Sequence, residues 1–278
     1  MEFLCFIKEI LKNSKKKKDR EMGRLWNSFK IAFSMYSKIP MPKSDWTKEN
    51  MRYIMCFFPL VGVLIGGVTW LWGSFGEALT ESRIFYASVL VLIPVLITGG
   101  IHLDGLLDTS DALHSYQPRE RKLEILKDSH AGAFAIITAV VYFLLYLGVY
   151  SELTRKGLPV VCIGFVLSRA LGGFSIAAFP MAKNTGLAAT FSDGAQKKCV
   201  KITCSIYTII CVALMLLYNP IIGGCAILGI ALEYLYYYKM AMKEFGGITG
   251  DLAGFHMQLS ELVLAFSCVV GELICRVL

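Results

Sequence analysis

Three aspartates stand four and three residues apart in the stretch GGIHLDGLLDTSD, residues 99–111. In a helix, side chains at i, i+3, i+4 and i+7 share a face, so Asp104, Asp108 and Asp111 converge on one side. Like charges that close repel one another unless a proton, a hydrogen bond or a cation relieves them. An all-oxygen donor set suits a hard ion. Magnesium, which takes a few carboxylates and completes its shell with substrate phosphates, fits it best. Such an ion would stabilise charge developing in a phosphoryl transfer. The alternative for any one aspartate is a solvated helix end, but acids grouped beside a membrane are costly and point to function. His102, two residues before Asp104, points elsewhere on that helix and is a supporting candidate.

A second set follows from GGITGDLAGF (246–255), where Asp251 comes after Thr249 and Gly250 in a glycine-containing turn able to bring backbone amides close to a phosphate. Glu261 lies ten residues on, inside an apolar segment, and needs a partner. Arg169, inside another apolar segment, is the cation to consider, and it equally suits a substrate phosphate. Lys127 and Asp128 in LKDSHAGAF precede an apolar run, in a loop able to swing against Asp104. His114 and His130 read as headgroup-level residues and His256 as a polar residue lining a helical bundle. Tyr234, Tyr236, Tyr237 and Tyr238 read as an interfacial aromatic belt. No GxxxxGK[ST] loop, Rossmann fingerprint or Ser-His-Asp pattern is present, so any nucleotide is handled without a soluble nucleotide-binding module.

The elements that must position these residues are membrane helices. The chain of 278 residues is 55% hydrophobic and only 18% charged, against about 25% charged in soluble domains. Uncharged runs at 53–76, 84–101 and 131–150 approach or exceed the roughly 18–20 residues that cross a bilayer. The run 202–232 is too long for one span, and Asn219-Pro220 in its middle marks a turn between two. The reading is an all-α, polytopic integral membrane bundle of six or seven transmembrane helices, with spans near 53–73, 84–103, 131–150, 158–180, two about Asn219-Pro220, and 255–275. Twelve of the 28 Lys and Arg lie in the first fifty residues, so the positive-inside bias puts the N-terminus in the cytoplasm. The loops at 104–130, 183–194 and 246–255 then share the cytoplasmic face. Residues 1–24 read as an amphipathic and polybasic extension on the bilayer surface, and 25–278 as one membrane domain. The net charge of +7 is explained by lipid and topology rather than by nucleic acid. Nine scattered cysteines with no CxxC pair read as small core residues, not as a disulfide or zinc framework.

Taken together, TGGIHLDGLLDTSDAL, ERKLEILKDSHAGAFA and GGITGDLAGFHMQLSE resemble the cobalamin synthase family of adenosylcobinamide-GDP ribazoletransferases, from about Leu25 to the end. The segments FKIAFSMYSKIPMP (29–42) and SRALGGFSIAAFPMAKNTGL (168–187) are similar to that family as well. The resemblance implies a magnesium-dependent enzyme of the prokaryotic inner membrane, working at its cytoplasmic face. It would join adenosylcobinamide-GDP to α-ribazole or its 5′-phosphate and release GMP. The family's acidic motif falls on Asp104, Asp108 and Asp111, and its TGD motif on Thr249, Gly250 and Asp251. Asp104, Asp108 and Asp111 would then hold the metal, with Asp111 or Asp251 accepting the attacking hydroxyl's proton. Lys127, Arg169 and Lys183 would contact phosphate, with Asp128 beside them and His102, His130 and Glu261 in support. The chain departs from the family pattern at Ala112, His130, Lys183 and Gln258. Two competing readings are a CDP-alcohol phosphotransferase, whose Ala-Arg is missing from DGLLDTSD, and a secondary transporter with Asp104, Arg169 and Glu261 on its pathway.

Overall fold

The structure, a computed structural model, describes residues 21–128, 130–182 and 196–278. Among these, helix α1 covers 21–36, and α2 (Ile54–Leu79), α3 (Arg83–Thr98), α4 (Ile101–His114), α5 (Arg119–Ile125), α6 (Ala133–Glu152) and α7 (Leu158–Ala178) follow. Then come α8 (Lys197–Tyr218), α9 (Pro220–Met240) with a π-helical turn at Ala241–Phe245, and α10 (Gly250–Val277). The boundary expected at residue 24 falls within α1, and the polybasic stretch itself lies outside the described residues.

Among the described residues, six helices are each long and apolar enough to cross a membrane: α2, α6, α7, α8, α9 with its π-turn, and α10. They surround α7, whose most apolar window is 72% buried, whereas the windows of α6 and α8 are only 22% buried and turn the rest to lipid. The expected turn between α8 and α9 is present. The Asn219 side chain accepts hydrogen bonds from the Ile221 and Ile222 amides at 3.1 and 2.9 Å, and Pro220 occupies the first helical turn.

The span expected over 84–103 does not form as one helix. Helix α3 stops at Thr98, and α4 starts at Ile101 on an axis turned by 95°. Gly99 and Gly100 have φ of 66° and 79°, a left-handed conformation that a side chain would penalise and glycine accepts. By length and composition the bent pair is a broken span or a re-entrant loop, so the described residues hold six candidate spans, or seven with this pair. Helix α4 lies across one end of the bundle, carrying the three aspartates.

Because the long helices alternate in direction, the loops sort into two ends. At the near end the Lys38 amide donates to the Ile97 carbonyl at 2.7 Å, and Lys122 pairs with Glu244 at 2.6 Å. There too the 180–182 segment forms a short parallel bridge with Ile248: its amide donates to Pro180 and its carbonyl accepts from Ala182, both at 2.9 Å. At the far end Arg155 pairs with Glu77 at 2.9 Å. The Glu272 carboxylate, buried in the last turns of α10, accepts from the Thr154 hydroxyl at 2.8 Å and the Gly157 amide at 2.5 Å. The loops at 104–130 and 246–255 thus share the near end, as expected, while the third expected loop, 183–194, lies outside the described residues.

Two acids in the last span, Glu261 and Glu272, are structural. Glu272 ties down the α6–α7 turn, and Glu261 forms an ion pair with Arg169 inside the bundle, with both side chains almost wholly buried. Arg169 also donates to the Ser168 hydroxyl at 3.0 Å and lies over the Phe165 ring. A fully buried guanidinium matched to a carboxylate does not reach a substrate phosphate, which corrects the expectation that Arg169 contacts one. Likewise Tyr234 and Tyr237 are not belt residues. Tyr237 is fully buried and stacks on His256 at 4.7 Å, and His256 pairs with buried Glu233 at 3.0 Å. Tyr236 and Tyr238 of that run are exposed, and half-buried Tyr234 turns its hydroxyl inward to donate to the Leu171 carbonyl at 3.2 Å. Removing one member of a buried ion pair strands the other charge, at a cost of about 3–5 kcal/mol, whereas replacing both by apolar residues is near neutral. Arg169→Met and Glu261→Leu are therefore each expected to lower the melting temperature in detergent sharply. The double variant should recover most of that loss, as read by thermal unfolding.

Candidate active site at the near end of the bundle

The acidic motif lies at the edge of a cavity of about 420 Å³ that opens at the near end, between α4, α10, the end of α7 and the α5 segment. Asp104, Lys127, Thr249, Gly250 and Asp251 line it. Asp104, Lys127 and Gly250 are exposed and form its rim, while Met55, Phe58, Ile176 and Met257 are buried and form its floor.

Helix α10 brings the second motif against the first. Gly105 sits against the Asp251 main chain, where an added Cβ would lie 2.5 Å from the Asp251 carbonyl oxygen, and Gly254 packs on the His102 main chain, where one would lie 3.0 Å from the His102 carbonyl oxygen. Only backbones stripped of side chains at both positions can approach this way. The Thr249 hydroxyl caps α10 by accepting from the Leu252 amide at 3.2 Å, which places Gly250 and Asp251 in the first turn. The positive end of the α10 helix dipole favours a phosphate oxygen there.

The carboxylates share one field. Burial, and then the charges of Asp104, Asp251 and Asp111, push the Asp108 carboxyl up to about 7. Asp104, on the same helix, is exposed at the near end of the bundle. Asp108 does not itself line the cavity; it stands behind Asp104 on the same helix.

Asp111 is engaged elsewhere. Its carboxylate accepts from the Gly132 amide at 2.6 Å and the Ala135 amide at 2.8 Å, capping the N-terminus of α6 where Gly132 offers no side chain of its own. Among the described residues no three acidic, histidine or cysteine side chains are grouped closely enough to hold a metal ion by themselves. The donor set nearest the cavity is therefore Asp104 with Asp251, and Asp108 behind, rather than the three aspartates of α4 alone. An oxygen donor set of that size fits magnesium, which keeps waters and takes its remaining ligands from substrate phosphates.

Other expected contacts are not brought to the cavity. Asp128 and His130 are exposed and pair with each other at 2.8 Å, and the hydrogen bonds from His130 hold the Asp128 carboxyl below its usual range. Neither lines the cavity, nor do Arg169 and Glu261, so no pathway joins those two buried groups to Asp104 through it. Lys183 lies outside the described residues. Glu233, the partner of His256, was not singled out by sequence; a lone acid within an apolar run was the available signal. His102, expected to point away, is buried and lines the floor of the cavity.

With this geometry in view, comparison with known proteins is informative. Residues 28–269 match the family model described as cobalamin-5-phosphate synthase. The adenosylcobinamide-GDP ribazoletransferase of Lachnoclostridium phytofermentans is 50% identical over 246 residues, covering 88% of this chain and 94% of that protein. Proteins of the same name from Clostridium botulinum and Desulfitobacterium hafniense are each 33% identical, covering 88% and 87% of this chain and 98% and 94% of their own. No solved structure matches. The matched region includes the Asp104 helix, the cavity wall and the first turns of α10, so the chain belongs to the cobalamin-5-phosphate synthase family.

Proposed function

We propose that this protein is an adenosylcobinamide-GDP ribazoletransferase that joins adenosylcobinamide-GDP to α-ribazole or its 5′-phosphate. The observation that carries the reading is the meeting of Asp104 and Asp251, from motifs far apart in sequence, on the rim of one cavity beside Lys127 and the first turn of α10. An acceptor hydroxyl attacks the cobinamide-side phosphorus of the pyrophosphate. The new O–P bond forms as the bond to the departing GMP breaks, and the hydroxyl proton passes to a carboxylate. Asp251 lines the cavity and suits that role better than Asp111, which does not line it and serves the α6 cap. Lys127 supplies a positive charge at the rim, and the first turn of α10 supplies the positive end of its helix dipole for a phosphate oxygen. Asp104, with Asp108 behind, would hold magnesium, which neutralises charge on the pyrophosphate and on the leaving phosphate when bound.

Topology supports a cytoplasmic site. Lys43, Lys48, Arg52, Arg119, Arg121, Lys122, Lys239 and Lys243 gather at the near end, against Arg83, Arg155, Lys156 and Arg276 at the far end. The positive-inside bias then turns the cavity to the cytoplasm of a prokaryotic inner membrane.

Asp104→Asn and Asp251→Asn are expected to lower GMP release by at least about 100-fold, in line with the loss of one charge-stabilising group, with little change in melting temperature. Asp111→Ala instead should lower stability by about 1 kcal/mol, the usual cost of a lost helix cap. Turnover by Asp104→Asn at the wild-type rate would remove the rim carboxylates from the chemistry. A further expectation concerns pH. Because the Asp108 carboxyl is raised to about 7, protons compete with the cation below that value and not above it. The magnesium concentration needed for half-maximal activity should stay level above pH 7 and rise as pH falls below it. In Asp108→Asn that slope should flatten, which activity titrations at several pH values would read.

A further inference from the structure

One polar side chain on the cavity floor has no part in the phosphoryl chemistry. His102 is 4% exposed and lines the cavity, and neither of its ring nitrogens meets a hydrogen-bond partner among the described residues. Its ring is stacked on Tyr36 at 5.9 Å and packed against Phe58 at 5.7 Å, so it is not free to swing out to water. A buried polar group left without a partner costs free energy, and native folds seldom retain one without a use. Around it the floor is apolar, with Met55, Phe58, Ile176 and Met257. Methionine sulfur and side-chain flexibility suit such a wall to a flat aromatic ring.

We propose that this floor is the acceptor subsite, taking the flat, uncharged benzimidazole base of α-ribazole, with a His102 ring N–H donating to the one free ring nitrogen of that base. The inference rests on the transferase reading and assigns which part of the substrates enters the cavity. Guanine carries several donors and acceptors along its edge, and most would be left unpaired against this wall, a penalty that apolar pockets impose strongly. A corrin ring with its amide-bearing periphery is too large for about 420 Å³, a volume near the lower end for small-molecule sites. A benzimidazole bonded to ribose through one nitrogen keeps a single in-plane acceptor and an otherwise apolar outline. The His102 donor lies among the largely apolar side chains of the floor, beside the Tyr36 ring that also lines the cavity, and it matches one acceptor on an apolar ring. The match does not depend on the protonation state of His102, since imidazole carries an N–H donor in either form. With the base on the floor, the ribose points to the rim, where its hydroxyl meets Asp251 and the pyrophosphate.

The test uses the purified full-length protein in detergent with magnesium and adenosylcobinamide-GDP, following GMP release. Two acceptors are compared: α-ribazole and the analogue with C–H in place of the free ring nitrogen, a dimethylindole riboside. The wild-type KM is expected to be at least tenfold higher for the analogue, with the KM for adenosylcobinamide-GDP unchanged. His102→Phe should raise the KM for α-ribazole about tenfold, leave that for the analogue within twofold, and so erase the discrimination. His102→Gln, which keeps a donor, should restore part of it. Equal use of both acceptors by the wild type would overturn the proposal while leaving the transferase reading intact, and that measurement needs no variant to fold. A His102→Phe defect confined to the KM for adenosylcobinamide-GDP would overturn it too. No GMP release from the wild type with α-ribazole would instead overturn the transferase reading, and the subsite with it.

Discussion

The architecture depends on the close approach of α4 to the first turn of α10. Gly105 and Gly254 let two main chains meet without intervening side chains. That contact is what puts carboxylates from two distant motifs into one electrostatic field. Charges of one sign do not gather by attraction, so the fold must hold them with contacts that have nothing to do with charge. Backbone packing and the Thr249 cap supply those contacts. The Asp108 carboxyl is raised first by burial and then by the repulsion of Asp104, Asp251 and Asp111 that the fold holds in check.

The hinge at Gly99-Gly100 is the second requirement. An uninterrupted α3 would carry the aspartates along the bundle axis, with side chains directed outward in several directions from the end of a span. Turning by 95° lays α4 across the end instead, so one face meets α10 and the bundle while the opposite flank meets α6. Asp111 shows how closely the two roles are interleaved on one helix. Three residues beyond Asp108, its carboxylate serves the N-terminus of α6 and not the cavity. One helix face, in the sense of side-chain periodicity, is thus divided between chemistry and construction.

Inside the bundle, polar groups occur in matched sets. Arg169 meets Glu261, His256 meets Glu233, Tyr142 donates to Gln258 at 2.8 Å, and Glu272 receives the α6–α7 turn. Ionisable groups in an apolar interior are tolerated when each has a partner. His102 is a buried imidazole with neither ring nitrogen paired among the described residues, and it lines the cavity, which is why it directs attention to a ligand.

The sequence by itself determined the membrane class, the turn at Asn219-Pro220, the acidic helix and the two motifs that carry the family. Each is a local property: a run of apolar residues long enough to cross a bilayer, a cap followed by proline, or a four-three spacing. It also held the break at Gly99-Gly100, but two glycines at the end of an apolar run are compatible with a continuous helix until packing selects a left-handed turn. Partner choice was decided only in three dimensions. Arg169 had a carboxylate and a phosphate as equally reasonable partners, and burial beside Glu261 settled it. Asp111 had the right spacing for the cavity, but the uncapped amides of α6 were nearer. His102 was set aside by periodicity, because helical spacing measures angle from a chosen face and says nothing about which face a neighbouring helix will enclose. Spacing along a chain fixes what a side chain can reach, and only the packed bundle fixes which of those groups is within hydrogen-bond distance.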